Sequence, residues 1–192
     1  MKTTGTIITL ALLMILAGCK NETAKSSGDE PYKVPEEIME IPGGTTVGLR
    51  APEIELPDTE GEMKQLSSLH GKLVLVDFWA AWCNPCRMEN PHLVKVYDKY
   101  NDVSFTKGEG FEIFSVTLDR NEEAWKAAIE EDGLDWPYML GDMKAARSEP
   151  VQEYGIQMIP ANFLLDQNGV IIATNLRGDA LEEKLESLKS EG

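Results

Sequence analysis

Apolar and polar positions alternate in blocks along the 192 residues. The first block, Ile7 to Ala17 (IITLALLMILA), is almost wholly apolar and follows a short basic start at Met1-Lys2. Such a run is too short to span about 30 Å of bilayer hydrocarbon as a stable helix, but it has the length of the apolar core of a secretory signal. The next block, Lys20 to about Gly44, is rich in Pro, Gly, Ser, Glu and Lys and closes on the turn signal Pro42-Gly43-Gly44. It can bury little and predicts a mobile tether.

From Gly48 onward, strand and helix patterns take turns. Leu73 to Trp79 (LVLVDFW) is a continuous apolar run of β-type residues, which predicts a strand buried on both faces. Arg87 to Tyr100 predicts a helix with Leu93, Val94, Val96, Tyr97 and Tyr100 on one side and a kink at Pro91. Phe111 to Leu118 (FEIFSVTL) predicts a second buried strand. Asn121 to Asp132 reads as a helix capped by Asn121 and stopped by Gly133, and Pro150 to Tyr154 as a short helix ended by Gly155. Ala161–Leu165 and Val170–Thr174 flank Asp166-Gln167-Asn168-Gly169, a hairpin signal. A last helix is expected from a cap at Asp179 to about Lys189. This order predicts one α/β domain with a central mixed β-sheet flanked by helices.

Charge narrows the partners. Lys and Arg number 18 against 33 Asp and Glu, a formal net charge of −15. Nucleic acid is excluded as a partner, because phosphate binding needs clustered Lys and Arg. Anionic headgroups should also repel the chain. Three cysteines are too few for a disulfide scaffold.

Two of those cysteines stand where the first buried strand gives way to a helix, in Trp82-Cys83-Asn84-Pro85-Cys86. Thiols at this spacing can close a tight disulfide loop within one helical turn. The first then sits at the helix N-terminus, where unpaired N–H groups and the dipole favour a thiolate. The thiolate is the attacking species in exchange, so Cys83 is the candidate nucleophile and Cys86 the resolving thiol. A zinc half-site and a static disulfide share the spacing. Zinc would need two more ligands, and only His70, His92 and carboxylates are on offer. His92 is expected to face solvent. Asp77 lies in the apolar strand six residues before Cys83, where a charge is expensive unless partnered or protonated.

The first apolar run ends in Leu16-Ala17-Gly18-Cys19, which resembles the lipobox of bacterial lipoproteins. That resemblance implies a signal peptide over residues 1–18, acylation of Cys19 and a flexible tether over 19–47. The domain at 48–192 would then lie in the bacterial cell envelope, lipid-anchored on the extracytoplasmic side of a membrane.

Within that domain, Gly48-Leu49-Arg50-Ala51-Pro52, Leu66 to Lys72 (LSSLHGK) and above all Val76 to Pro91 (VDFWAAWCNPCRMENP) carry a specific resemblance. They are similar to the membrane-tethered, thioredoxin-like reductases of cytochrome c maturation, over about Gly48 to Leu188. The resemblance implies a thioredoxin-like fold with a helix-containing insertion over about Asn121 to Tyr154 and an N-terminal extension. It implies a thiol–disulfide oxidoreductase whose only redox group is the Cys83–Cys86 pair, with no separate cofactor and no metal. Catalytic roles fall to Cys83 and Cys86, with Asp77 and Glu89 handling protons. Trp82, Asn84, Pro85, Ile159 and Pro160 are expected against the substrate, with Pro160 cis. In thioredoxins a Lys on the next strand accompanies the buried Asp; here that position aligns with Ser115, and Ala161 replaces the usual Thr after the proline. Implied partners are an exported disulfide-containing protein, such as apocytochrome c, and a membrane thiol reductant as electron donor.

Two other classes share parts of this pattern. One is a copper or haem delivery protein using the same thiols; copper chaperones on this fold have a wider cysteine pair and a distal histidine, whereas no His follows His92. A thiol peroxidase needs Thr or Ser three residues before its nucleophile and Pro seven before. Ala80 and Val76 hold those places for Cys83, as do Cys83 and Trp79 for Cys86. Trp125, Trp136 and Phe111 read as packing residues, and the acidic runs Glu130-Glu131-Asp132 and Glu182-Glu183 as solvated faces.

Overall fold

The computed structural model describes residues 31–190. The expected signal peptide, Cys19 and the start of the tether lie outside the described residues. Elements follow in the order α1 (Glu36–Met39), β1 (Glu55–Pro57), β2 (Met63–Gln65), β3 (Leu73–Trp79), α2 (Asn84–Tyr100), β4 (Ser104–Phe105), β5 (Gly108–Glu109) and β6 (Phe111–Thr117). They continue with α3 (Glu122–Asp132), β7 (Tyr138–Leu140), α4 (Glu149–Glu153), β8 (Ala161–Leu165), β9 (Ile171–Thr174) and α5 (Asp179–Glu186).

β3 and β6 are buried at all seven positions each, as their unbroken apolar runs require. They lie side by side and parallel at the middle of a five-stranded sheet ordered β7-β6-β3-β8-β9. β8 runs antiparallel to β3, and β9 returns antiparallel to β8 through the expected hairpin. There the Asp166 carboxylate accepts from the backbone N–H groups of Asn168 and Val170 at 2.9 and 3.0 Å, while Gly169 takes the left-handed conformation the turn needs. The outer side of β9 is covered by Gly48 to Ala51, which exchange backbone hydrogen bonds with Gly169 and Ile171. Covering that side removes an open pairing edge.

The pleat sorts the core onto two faces. Phe78 packs in an aromatic cluster with Tyr154 and Phe163. Its neighbour Asp77 points the opposite way. The C-terminal ends of α2 and α5 are joined by Tyr100, whose hydroxyl donates to Glu186, and by Lys99, which pairs with Glu182 and Glu186. Trp125, Trp136 and Phe111 are buried, as read.

Several elements differ from expectation. α2 begins at Asn84, three residues early, because Pro85 in the first turn lacks only an N–H that would be unpaired anyway. Pro91 lies inside α2 without ending it. β7 was not foreseen: three residues carry too little periodicity, yet it pairs parallel with β6 and gives the insertion a strand of the sheet. Asp179 is in the first turn of α5, and the cap position is Gly178 at φ 49°. His92 is half-buried rather than solvent-facing, with its Nε2 enclosed and unpartnered. Along the described part of the tether no residue is buried, but Tyr32 donates from its hydroxyl to Asn168 at 2.7 Å and the Gly44 N–H to the Arg50 carbonyl at 2.9 Å.

Candidate active site

β3 delivers the chain to the sheet's carboxyl edge, where Ala80 to Trp82 turn it into α2. Cys83 is the residue that caps α2, and its Sγ accepts from the Cys86 N–H at 3.2 Å. Cys83 and Cys86 are joined as a disulfide, with 5.2 Å between their Cα atoms. After reduction, the same N–H and the α2 dipole face a sulfur able to carry negative charge. Both cysteines are buried, Cys83 at 4% exposure and Cys86 at 1%. Asn84 and Pro85 form the exposed first turn between them. Trp82, 64% exposed, stands beside them as a bare aromatic wall.

The approach loop is pinned from two sides. Buried Asp119, just beyond β6, accepts from the Ala81 N–H at 2.8 Å and from the Thr117 hydroxyl at 2.6 Å. Arg87, next after Cys86, donates to the Ala81 carbonyl at 3.3 Å. Its guanidinium also grips Asp132 through two nitrogens and Glu131 at 3.0 Å, which holds it protonated far above its ordinary range. Asn90 donates to the same Asp132 at 2.7 Å. The end of the acidic run read as a solvated face is therefore a clamp between α3 and α2. Nothing in the spacing of Arg87 and Asp132, 45 residues apart, could have announced it.

The Ile159–Pro160 bond is cis and leads directly into β8. Ile159 and Pro160 are half-buried. Met158 before them is 83% exposed, and with Trp82, Ile159 and several alanines of α3 it lines a cleft of about 1060 Å³.

A row of polar groups crosses three adjacent strands of the sheet. Asp77 of β3 is in register with Ser115 of β6 and Asn162 of β8, so the three share a face. Ser115 accepts from the Trp136 indole at 3.0 Å, and no lysine accompanies Asp77 from β6. Asp77 is 4% exposed, and burial pushes its carboxyl up to about 7, opposed by nearby Arg177 and reinforced by Glu89. Glu89, one turn beyond Cys86 and half-buried, accepts from the Gly178 N–H at 2.8 Å. Sequence reasoning missed Arg87, Asp119, Asp132 and Arg177. Only Asp119, a carboxylate closing an apolar strand, carried a local signal. Among the described residues, no three His, Cys, Asp or Glu side chains gather to hold a metal ion.

A Cys-X-X-Cys disulfide at a helix N-terminus, with a cis-proline leading into the neighbouring strand and a buried acid on the central strand, defines a thiol–disulfide oxidoreductase of thioredoxin-like fold. Residues 47–174 match the model of the AhpC/TSA family, and the chain belongs to that family. It is 30% identical over 186 residues to the thiol-disulfide oxidoreductase ResA of Bacillus thuringiensis subsp. konkukian, spanning 97% of this chain and 95% of that protein. The thioredoxin domain of a thiol-disulfide oxidoreductase from Bacteroides vulgatus superposes with a TM-score of 0.67 at 39% identity, over 74% of this chain and 96% of the other. The C-terminal domain of a putative thiol-disulfide oxidoreductase from Bacteroides thetaiotaomicron has a TM-score of 0.67 at 34% identity, over 75% and 96%.

Proposed function

We propose that the protein is an extracytoplasmic reductant of disulfides in exported proteins, held at a membrane through acylated Cys19. The observation that carries this reading is the Cys83–Cys86 pair at the start of α2, next to exposed Trp82 and cis-Pro160. Its direction and its setting draw on the sequence resemblance to the reductases of cytochrome c maturation, and apocytochrome c is the candidate substrate. A cysteine anchor needs more than one acyl chain for stable attachment, as lipoproteins provide. No helix among the described residues is long and apolar enough to cross a membrane.

In this mechanism the target peptide lies extended along the edge at Ile159-Pro160, against Trp82, Asn84 and Pro85. The Cys83 thiolate attacks one sulfur of the target disulfide, forming a mixed disulfide and releasing the other sulfur as a thiolate. Cys86 passes its proton to the Asp77 carboxylate and attacks the Cys83 sulfur. The target leaves with two thiols, and two electrons have moved from Cys83 and Cys86 to it. Glu89 exchanges protons with solvent from its side of the site. A membrane dithiol then reduces Cys83–Cys86 by the reverse steps, which an oxidising compartment makes necessary.

The test is the two-electron potential of the pair, by redox-buffer titration with thiol trapping. Because about 30 mV is a factor of ten, the readout separates the directions cleanly. A value near or below about −220 mV is expected. A value near about −120 mV, that of a strong periplasmic oxidant, would make the protein a maker of disulfides instead.

A further inference from the structure

Asp77 needs a counter-charge, and neither flanking strand provides one. Ser115 on the β6 side is occupied by the Trp136 indole. On the β8 side, Asn162 spends both ends of its amide on the backbone of Leu176, donating to the carbonyl at 2.7 Å and accepting from the N–H at 2.8 Å. That pair of bonds fixes the residue before Arg177. The connection from β9 to α5 is also held on its other side, where the Gly178 N–H donates to Glu89 of α2. Asn175 and Gly178 both adopt positive φ, 54° and 49°, so the turn is tight at each end. Its product is a guanidinium carried beneath the cis-proline. Arg177 donates from Nη2 to the Pro160 carbonyl, while its Nη1 is buried with no hydrogen-bond partner. Arg177 is half-buried, and a buried guanidinium nitrogen with an unused donor is costly unless negative charge lies close by.

We propose that Arg177 is a positioning residue of the exchange reaction, fastening the Pro160 carbonyl and acting as the counter-charge of Asp77 in place of a lysine on β6. The proposal rests on Asp77 being the proton acceptor for Cys86. Asp77 has Ser115 of β6 and Asn162 of β8 as its cross-strand neighbours, and the charged groups that act on it are Glu89 of α2 and Arg177 of the β9–α5 turn. Of these, Arg177 alone is a cation. It holds Asp77 low enough to exist as a carboxylate near neutrality, against burial and Glu89. One guanidinium thus ties the edge that receives the target peptide to the group that takes the proton from Cys86. A lysine would keep the charge but not the planar guanidinium that meets the Pro160 carbonyl.

The test uses the mature protein with the Cys19 sulfur blocked by its acyl anchor and Cys83–Cys86 reduced, mixed with Ellman's reagent in stopped flow from pH 5 to pH 9. Attack by Cys83 releases one thionitrobenzoate, and resolution by Cys86 releases the second. The pH midpoint of the second phase is the readout. In the wild type a step near neutrality is expected, and Asp77→Asn should remove it. Arg177→Gln should move the step upward by at least one pH unit, about a tenfold change in proton affinity. Arg177→Lys should move it by less than half a unit. Should the Gln variant fail to fold, Arg177→Met, which keeps an apolar stem, decides in the same way. If Asp77→Asn leaves the second phase unchanged, the acceptor reading falls and Arg177's role falls with it. If Asp77→Asn removes the step but folded Arg177→Gln or Arg177→Met leaves it in place, the Arg177 proposal alone is overturned. It is overturned equally if Arg177→Lys moves the step as far as the neutral variants do.

Discussion

Replacing Asp77 by Asn should stabilise the folded protein, and by an amount that depends on pH. The carboxyl has an ordinary value of 3.8 and is raised to about 7 by burial, so the folded state binds its proton more tightly than the unfolded chain does. For an acid raised in this way, stability is unaffected well below pH 4, where both states are protonated. It falls as pH rises from about 4 to about 7, where the unfolded chain has released the proton and the folded one still holds it. Above pH 7 the loss is complete and constant. The slope is about 1.4 kcal/mol per pH unit, which sums to about 4 kcal/mol across the window. Asn has nearly the same shape and no charge to desolvate, so it escapes this loss. The assay is urea unfolding of oxidised wild type and Asp77→Asn at half-unit steps from pH 3.5 to pH 8.5. The gap between them should open through the window and then level off. Any change in hydrogen bonding by the amide adds a constant and leaves the slope untouched. A gap with no pH dependence between pH 4 and pH 7 would refute the claim that desolvation dominates at Asp77.

Two further predictions concern the frame around the site. Asp132→Ala removes the shared acceptor of Arg87 and Asn90 and should cost about 2–3 kcal/mol. Glu131→Ala, at a side chain 68% exposed, should cost no more than about 0.5 kcal/mol; urea midpoints separate the two. Gly108→Ala would put a Cβ 2.6 Å from the Leu73 nitrogen at the start of β3 and should cost at least about 2 kcal/mol. Gly133→Ala meets open space and only the strain of φ +66°, so about 1 kcal/mol is expected in the same thermal or urea assay.

The sequence by itself determined the parts whose cause is local. Leu73–Trp79 and Phe111–Thr117 are buried strands because continuous apolar β-formers leave no polar face to turn outward. Asn121 and Gly133 bound α3 because a cap and a left-handed stop act within a few residues. Cys83 and Cys86 declared their chemistry through a three-residue spacing at a strand-to-helix junction, and Asp77 stood out as a charge in an apolar run. What the tertiary structure alone decided is how distant side chains converge. β7 is a strand because β6 offers it an edge, not because Tyr138–Leu140 has any period of its own. Asp132 serves Arg87 from 45 residues away, and Arg177 lies under Pro160 only because Asn162 and Glu89 hold its turn. Ser115 marked the missing lysine in the sequence, but its replacement depends on how a hairpin and a helix close over the sheet. Long-range electrostatics of this kind are set by packing, which no window of neighbouring residues records.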